Sequence, residues 1–151
     1  MHFLRDALSQ VDRHSGTGVI IGLGNEFRHD DAVGLIAARR LHGIEHEGDV
    51  GDLISRWEGL ERVILIDAVS SGGTPGTIHR LDVSVSRVPP ELFKNSTHQL
   101  GLADAIELSR ALGTLPREVL IYGIEVRDTT AGIGLSPEVA KALETLIAEV
   151  L

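Results

Sequence analysis

The sequence contains no cysteine, although it is 151 residues long. Without thiols the chain has no disulfide, no thiolate metal site, no iron–sulfur cluster and no cysteine nucleophile. Any metal ion must therefore be bound by histidine, aspartate or glutamate side chains.

Aromatic and basic residues are also scarce. Aromatic side chains make up 3% of the chain, so the core must be aliphatic, and a stacking platform for single-stranded nucleic acid is disfavoured. The 14 basic residues against 22 acidic residues give a formal net charge of -8, which repels phosphate backbones. We therefore expect no nucleic-acid partner.

Long apolar runs are missing from the N-terminal segment, where Arg5, Asp6 and Asp12 interrupt every hydrophobic stretch. We therefore expect no signal peptide or membrane span there, no membrane partner and a cytoplasmic location. Hydrophobic residues at 42% and charged residues at 24% are typical of a folded globular protein. The length predicts a single domain over residues 1–151, with residues 1–17 as a helical extension.

Short apolar runs alternate with amphipathic helical patterns along the chain. The runs are rich in β-branched residues, which is typical of strands buried on both faces. The predicted strands are 19–23, 44–47, 63–66 and 119–124, with 77–85 as an edge strand, and the predicted helices are 2–13, 33–41, 53–60, 102–112 and 137–150. This order predicts an α/β fold, a three-layer sandwich. In it a mostly parallel twisted sheet, with an antiparallel edge strand, has helices on both faces.

Three side chains with acid–base or metal-binding chemistry follow the predicted strands. Asp31 lies after the first strand, Asp67 ends the next clear strand, and His98 begins a helix. Ligands in such sheets bind beyond the carboxyl ends of the strands, so we expect these residues to share one site. Two carboxylates and one imidazole suit a borderline ion such as Ni²⁺ or Zn²⁺, bound weakly and with open positions.

A purely structural interpretation stands beside this hypothesis. Asp30 and Asp31 have the position of helix-capping acids, and half of such pairs, as a rough prior, do no more than cap. Asp67 has the position of a turn cap, and a lone His98 is more often solvated or capping.

Other motifs give weaker indications. Gly22-Leu23-Gly24 begins a dinucleotide fingerprint, but Phe27 occupies the position of its third glycine, so we expect no organic cofactor. His42 and His46 have the spacing of a helical metal pair, but a glycine lies between them. No G-x-S-x-G nucleophile motif occurs, and Glu125, near a strand end, has no assigned role.

The chain resembles the hydrogenase maturation endopeptidases, which process the large subunit of nickel–iron hydrogenases. The likeness covers residues 18–150 and rests on separate glycine, carboxylate and histidine blocks in a fixed order. The blocks are Gly22-Leu23-Gly24-Asn25, Arg28-His29-Asp30-Asp31-Ala32-Val33-Gly34, Ile66-Asp67-Ala68 and Thr97-His98-Gln99-Leu100-Gly101-Leu102. Two positions depart from the family pattern: Glu47-Gly48 stands where many members have Asp-Gly, and Glu26 where an aliphatic residue is common.

The resemblance implies an α/β fold and an activity, which is removal of the C-terminal extension of a hydrogenase large-subunit precursor after nickel insertion. It implies that Asp31, Asp67 and His98 are the catalytic and metal-binding residues, in an aspartyl-type endopeptidase. The metal is then nickel supplied in the substrate, because a weak site completes the coordination of an ion that the precursor already holds. We also expect residues 86–97, which include Pro89-Pro90, to form a mobile loop that closes on the precursor.

Two alternatives from other functional classes stay open. One is a non-catalytic module that binds nickel or the precursor without cutting it. The other is a peptidyl-tRNA hydrolase-like esterase, since such enzymes open with a motif similar to Gly22-Leu23-Gly24-Asn25. They also need a basic surface for tRNA, which a net charge of -8 does not favour.

Overall fold

A β-sheet of five strands forms the centre of the fold. The computed structural model describes residues 18–93 and 101–150. The strands are β1 (Gly18–Leu23), β2 (Ile44–His46), β3 (Arg62–Val69), β4 (Ile78–Asp82) and β5 (Glu118–Glu125). The helices are α1 (Val33–Arg40), α2 (Leu53–Trp57), α3 (Pro90–Phe93), α4 (Leu102–Leu112) and α5 (Pro137–Val150), with short 3₁₀ helices at His29–Ala32 and Val50–Asp52. The helix predicted over 2–13 lies outside the described residues.

The strands are ordered β2-β1-β3-β5-β4 across the sheet. All neighbouring pairs are parallel except β4 and β5, which are antiparallel and place β4 at an edge. The structure therefore confirms the predicted sheet and its antiparallel edge strand. Among the helices that the structure describes, none combines the length and apolar character needed to cross a membrane.

Successive residues of the central strands pack on opposite faces of the sheet, as the pleat requires. Ile64 and Ile66 pack with α1 and α5, whereas Leu65 and Ile121 pack with α2 and α4. The largest buried side chain is Trp57, whose Nε1–H donates to Ser109 Oγ at 2.9 Å. Both faces are thus covered by helices, which explains why the strand sequences are apolar without alternation.

Two glycines let α1 lie directly on β1 and β3. A Cβ added at Gly34 would lie 2.2 Å from the carbonyl oxygen of Leu23 and 2.4 Å from that of Ile66. A Cβ at Gly22 would lie 1.9 Å from the carbonyl oxygen of Gly34. Because no side chain separates helix from sheet here, the segment that precedes α1 is held close to the carboxyl end of β3.

Three local expectations differ from the structure. β3 continues to Val69 because residues 67–69 pair with residues 123–125, so Asp67 lies two residues before the strand's end. The predicted loop 86–97 contains the short helix α3, and its residues 94–97 lie outside the described part of the chain. The helix predicted over 53–60 ends earlier, at Trp57.

Candidate active site

Asp31 and Asp67 meet at the carboxyl edge of the sheet. Asp31 lies in the 3₁₀ helix His29–Ala32, whose chain is tied to the end of β1 by the Asn25 N–H donating to the Asp31 carbonyl oxygen at 3.2 Å. Asp67 lies near the end of β3, directly after Ile66, which is the register partner of Gly22 on β1. The two carboxylates are close enough for the charge of Asp31 to act on Asp67.

The environment of Asp67 favours its protonated form. Burial, and after it the negative charge of Asp31, raises the pKa of Asp67, a hydrogen bond from the Ala68 N–H lowers it, and the net result is a pKa of about 8. That hydrogen bond is 2.8 Å long and ends on Oδ1 of Asp67. At neutral pH Asp67 therefore keeps its proton beside the negative charge of Asp31. This arrangement offers a proton donor, a proton acceptor and oxygen ligands for a cation.

Asp30, the neighbour of Asp31, is fully buried and binds the loop between β5 and α5. Its carboxylate accepts the backbone N–H groups of Arg127 and Asp128 at 2.9 Å, and both the N–H and the hydroxyl of Ser136 at 2.7 Å. Burial alone would raise the pKa of Asp30, but the hydrogen bonds from Ser136, Asp128 and Arg127 outweigh it and lower that pKa. Asp30 thereby fixes the loop between β5 and α5 against the 3₁₀ helix that carries Asp31.

Neither Asp30 nor Asp31 is an N-cap, although both acids lie in the first turn of the 3₁₀ helix, where their charge complements the helix dipole as the structural interpretation expected. Neither the 3₁₀ helix His29–Ala32 nor α1 receives a side-chain cap hydrogen bond, since Arg28 and Ala32 occupy their N-cap positions. The four donors of the β5–α5 loop satisfy the Asp30 carboxylate instead. A sequence pattern read over neighbouring residues cannot reveal donors that lie about one hundred positions away.

His98 lies outside the described residues, so its predicted place beside the two carboxylates stays a prediction. Within residues 18–93 and 101–150, no group of three histidine, cysteine, aspartate or glutamate side chains gathers to hold a metal ion. The described chain resumes at Gly101, the N-cap of α4 and three positions after His98.

His42 and His46 do not form the metal pair that their spacing suggested. His46 is buried, its Nε2–H donates to the Asp49 carbonyl oxygen at 2.9 Å, and its Nδ1 accepts a hydrogen bond from Arg56 Nε at 2.9 Å. Both ring nitrogens of His46 are thus occupied. His42 is exposed in the turn after α1, where its φ is 59°.

Glu125, which the sequence left unassigned, organises the turn that follows β3. It is buried and accepts hydrogen bonds from the N–H of Ser71 at 3.3 Å, from the hydroxyl of Ser71, and from His79 Nε2–H at 3.1 Å. The register partner of Asp67 on β5 is Gly123, and Glu125 lies two residues further along β5. Asp67 and Glu125 therefore lie on the same face of adjacent strands. Sequence reasoning missed His79 because its contact with Glu125 depends on the antiparallel register of β4.

The two acidic residues that depart from the family pattern lie at the surface. Glu26 accepts a hydrogen bond from Arg39 at 3.2 Å, and the same guanidinium binds Glu45 at 2.6 Å. Glu47 is exposed in the loop after β2. Glu26 therefore serves a surface ion-pair network beside the 3₁₀ helix.

Proteins of known sequence and structure are similar to this chain over most of its length. The family model described as hydrogenase maturation protease matches residues 48–151. The hydrogenase 2 maturation protease of Escherichia coli is 31% identical over 147 residues, which covers 88% of this chain and 87% of that protein. The HupD hydrogenase expression/formation protein of Rhodobacter capsulatus is 29% identical and covers 87% of this chain and 68% of that protein.

Solved structures of hydrogenase maturation proteases are also similar to this chain. The hydrogenase maturating endopeptidase HybD from Escherichia coli superposes with a TM-score of 0.69 at 28% identity, over 88% of this chain and 91% of that chain. The [NiFe] hydrogenase maturation protease HybD from Thermococcus kodakarensis does so with a TM-score of 0.63 at 29% identity, over 87% and 96% of the two chains. On these grounds the chain belongs to the hydrogenase maturation protease family, as its sequence blocks indicated.

Proposed function

We propose that this endopeptidase removes the C-terminal extension of a nickel–iron hydrogenase large-subunit precursor after nickel insertion, and recognises the nickel that the precursor carries. Asp31, Asp67 and His98 complete the coordination of that ion and take part in cleavage. The observation that supports this most is the pairing of Asp31 with Asp67 at the carboxyl edge of the sheet, in a chain of this family.

The chemistry of the two carboxylates supports recognition of a delivered ion over capture of a free one. Two oxygen ligands and one imidazole bind Ni²⁺ weakly, and the proton on Asp67 must leave before that carboxylate can ligate. An ion that the precursor already holds binds to this site more readily than a free ion, because its other ligands are in place. Binding of the precursor therefore depends on whether the metal has been inserted.

The same pair suits hydrolysis of a peptide bond. The carboxylate of Asp31 is placed to accept a proton from an attacking water and to pass it to the departing amine, while Asp67, which gives up its proton on ligating the nickel ion, holds that ion. The nickel ion of the substrate polarises the scissile carbonyl if it lies beside it. Replacement of either carboxylate is therefore expected to stop cleavage.

Cleavage of the nickel-loaded precursor by site variants tests the proposal. Asp31→Asn, Asp67→Asn and His98→Ala are expected to leave folded proteins that release no product detectable by mass spectrometry. Glu144→Gln, which alters an exposed carboxylate on α5 paired with Arg40, is the matched control and is expected to cut at the wild-type rate. Wild-type rates from all three site variants would overturn the proposal.

A nickel titration separates the protease from a non-catalytic nickel carrier. The protein alone is expected to bind Ni²⁺ negligibly in calorimetry, since it meets the ion in its substrate. Tight binding without precursor, together with no cleavage, would favour the carrier. The cytoplasmic location stays a prediction that fractionation of cells can check.

A further inference from the structure

Two large apolar side chains are exposed on the loops that surround Asp31. Phe27 is 62% exposed in the β1–α1 loop, and Ile133 is 75% exposed in the β5–α5 loop. Most other large hydrophobic side chains of the described residues are packed in the core. Single exposed apolar residues are common on protein surfaces, so it is the position of these two, on the loops beside Asp31, that calls for an explanation.

The two loops are joined at the positions next to these side chains. The Gly132 N–H donates to the Phe27 carbonyl oxygen at 2.8 Å, and the His29 N–H donates to the Gly132 carbonyl oxygen at 2.9 Å. Arg28 and Gly132 accordingly form a parallel β-bridge. Phe27 precedes one member of the bridge and Ile133 follows the other, so both exposed side chains belong to the surface of the joined loops.

This surface is held rigidly. Asp30 binds the β5–α5 loop through four hydrogen bonds, and Arg28 Nε donates to the Thr129 carbonyl oxygen at 3.1 Å. His29 has a φ of 45°, which is rare for a residue with a side chain, and its Nδ1–H donates to the Gly134 carbonyl oxygen at 3.0 Å. Strained and over-determined backbone of this kind concentrates at functional sites, and a preorganised surface loses little entropy when it binds.

The position of the surface points to its occupant. Phe27 comes four residues before Asp31, and both loops leave the carboxyl ends of strands, the edge at which Asp31 and Asp67 meet. A protein substrate that brings its scissile bond to those carboxylates must cover the loops beside them. The same loops also carry charged residues, Glu26 and Arg127, and protein interfaces commonly combine an apolar centre with polar surroundings.

We propose that Phe27 and Ile133 form an apolar docking surface that binds the hydrogenase precursor beside its scissile bond. This inference rests on the proposed function, because it assigns the surface to the same substrate. Phe27 and Ile133 contact an apolar segment of the precursor and contribute to its affinity. They do not contact the reacting atoms.

The chain offers a matched control for surface hydrophobicity. Leu112 is 62% exposed, as Phe27 is, but it ends α4 and is followed within a few residues by the first residue of β5. It therefore lies toward the amino edge of the sheet, away from Asp31. Leu112→Ser removes a comparable share of exposed apolar side chain without touching the proposed interface.

Steady-state cleavage of nickel-loaded precursor by Phe27→Ser, Ile133→Ser, the double variant and Leu112→Ser tests the inference. Each single variant of the pair is expected to raise KM about tenfold with kcat nearly unchanged, because the lost contact is equal in the ground and transition states. The double variant is expected to raise KM further, and Leu112→Ser is expected to match the wild type. An unchanged KM in the double variant, or an equal loss of kcat without a rise in KM, would overturn the inference.

Two further measurements keep this test independent of folding and of the proposed function. Hydrogen exchange at the Gly132 and Asp128 amides must match the wild type, which shows that the joined loops stay intact. Calorimetric binding of the precursor to Asp67→Asn, with and without Phe27→Ser, reports docking when no bond is cut. If the wild type binds the precursor but never cleaves it, the proposed function fails while the docking surface stands. If Phe27→Ser changes only the self-association of the protein, measured by light scattering, and not its binding of the precursor, the docking surface is contradicted.

Discussion

The carboxylate of Asp30 accepts both the backbone N–H and the hydroxyl of Ser136, which lies 106 positions further along the chain, at 2.7 Å each. Together with the amides of Arg127 and Asp128, these donors make one buried side chain the junction between the loop that carries Asp31 and the loop that leads into α5. The junction explains how the short 3₁₀ helix between β1 and α1 holds the carboxylate of Asp31, for which we propose a catalytic role, in a fixed place.

Asp30→Asn is expected to destabilise the protein by about 3 kcal/mol, because an amide nitrogen replaces an acceptor and leaves buried donors without a partner. Urea unfolding of both proteins measures the loss. Asp128→Asn changes an acid of the same loop whose hydrogen bonds are local, to Thr130, and is expected to lose much less. Equal stability of Asp30→Asn and the wild type would remove Asp30 from this role.

The contribution of Asp30 to stability is expected to depend on acid pH. Since its pKa in the folded protein is lowered, the stabilisation is present above the ordinary aspartate pKa of 3.8 and disappears as the pH falls through the lower folded value. The difference in unfolding free energy between wild type and Asp30→Asn should therefore be constant at neutral pH and shrink in strong acid. A difference that grows as the pH falls would contradict this.

Asp67 is expected to weaken the fold as the pH rises. Its pKa is raised from 3.8 to about 8, so the folded state holds a proton that the unfolded state has released, and stability falls progressively between these values. Asp67→Asn, which cannot ionise, should melt at a higher temperature than the wild type at pH 8 and at nearly the same temperature at pH 4. Parallel melting curves at both pH values would show that Asp67 is not buried beside Asp31.

The approach of α1 to the sheet is expected to control the pairing of the two carboxylates. Gly34→Ala adds a methyl group that meets the backbone oxygens of Leu23 and Ile66, so the helix must move away at a loss of about 2 to 3 kcal/mol. The pKa of Asp67, followed by carbon-13 NMR of its carboxyl, should fall as Asp31 recedes. Gly51→Ala, whose added methyl meets only the Asp49 side chain at 3.5 Å, is the control and should change neither quantity.

Glu125 is expected to protect the turn after β3 from local opening. Glu125→Ala removes the acceptor of the Ser71 N–H, so that amide should exchange with solvent faster. The Gly76 N–H donates to the backbone carbonyl oxygen of residue 125, which the substitution keeps. Its exchange should therefore stay slow, and it serves as an internal control. Equal acceleration at both amides would indicate general unfolding instead of release of the turn.

The sheet could be predicted from the sequence because its strands are apolar on both faces. The run from Val63 to Ile66 and that from Val119 to Ile124 fit only strands buried between helix layers. The end of β3 could not be predicted in the same way. Residues 67–69 are extended because they pair with β5, and pairing is not visible in a local pattern.

In the candidate site, too, local sequence identified some residues, whereas the roles of others depend on contacts between distant segments. Asp31 and Asp67 could be selected because acids after buried strands point to the carboxyl edge. Asp30 could not be distinguished from a cap, since its donors come from a distant loop, and the contact of Glu125 with His79 required the register of β4. The joined surface of Phe27 and Ile133 depends on the bridge between Arg28 and Gly132, which no spacing in the sequence encodes.

Incubation of the wild-type protein with purified nickel-loaded and nickel-free precursor tests the central claim most directly. The intact mass of the precursor is read after equal times with both substrates. The account predicts loss of a C-terminal fragment from the nickel-loaded precursor and an unchanged mass for the nickel-free one. Cleavage of both forms at the same rate would contradict recognition through the metal.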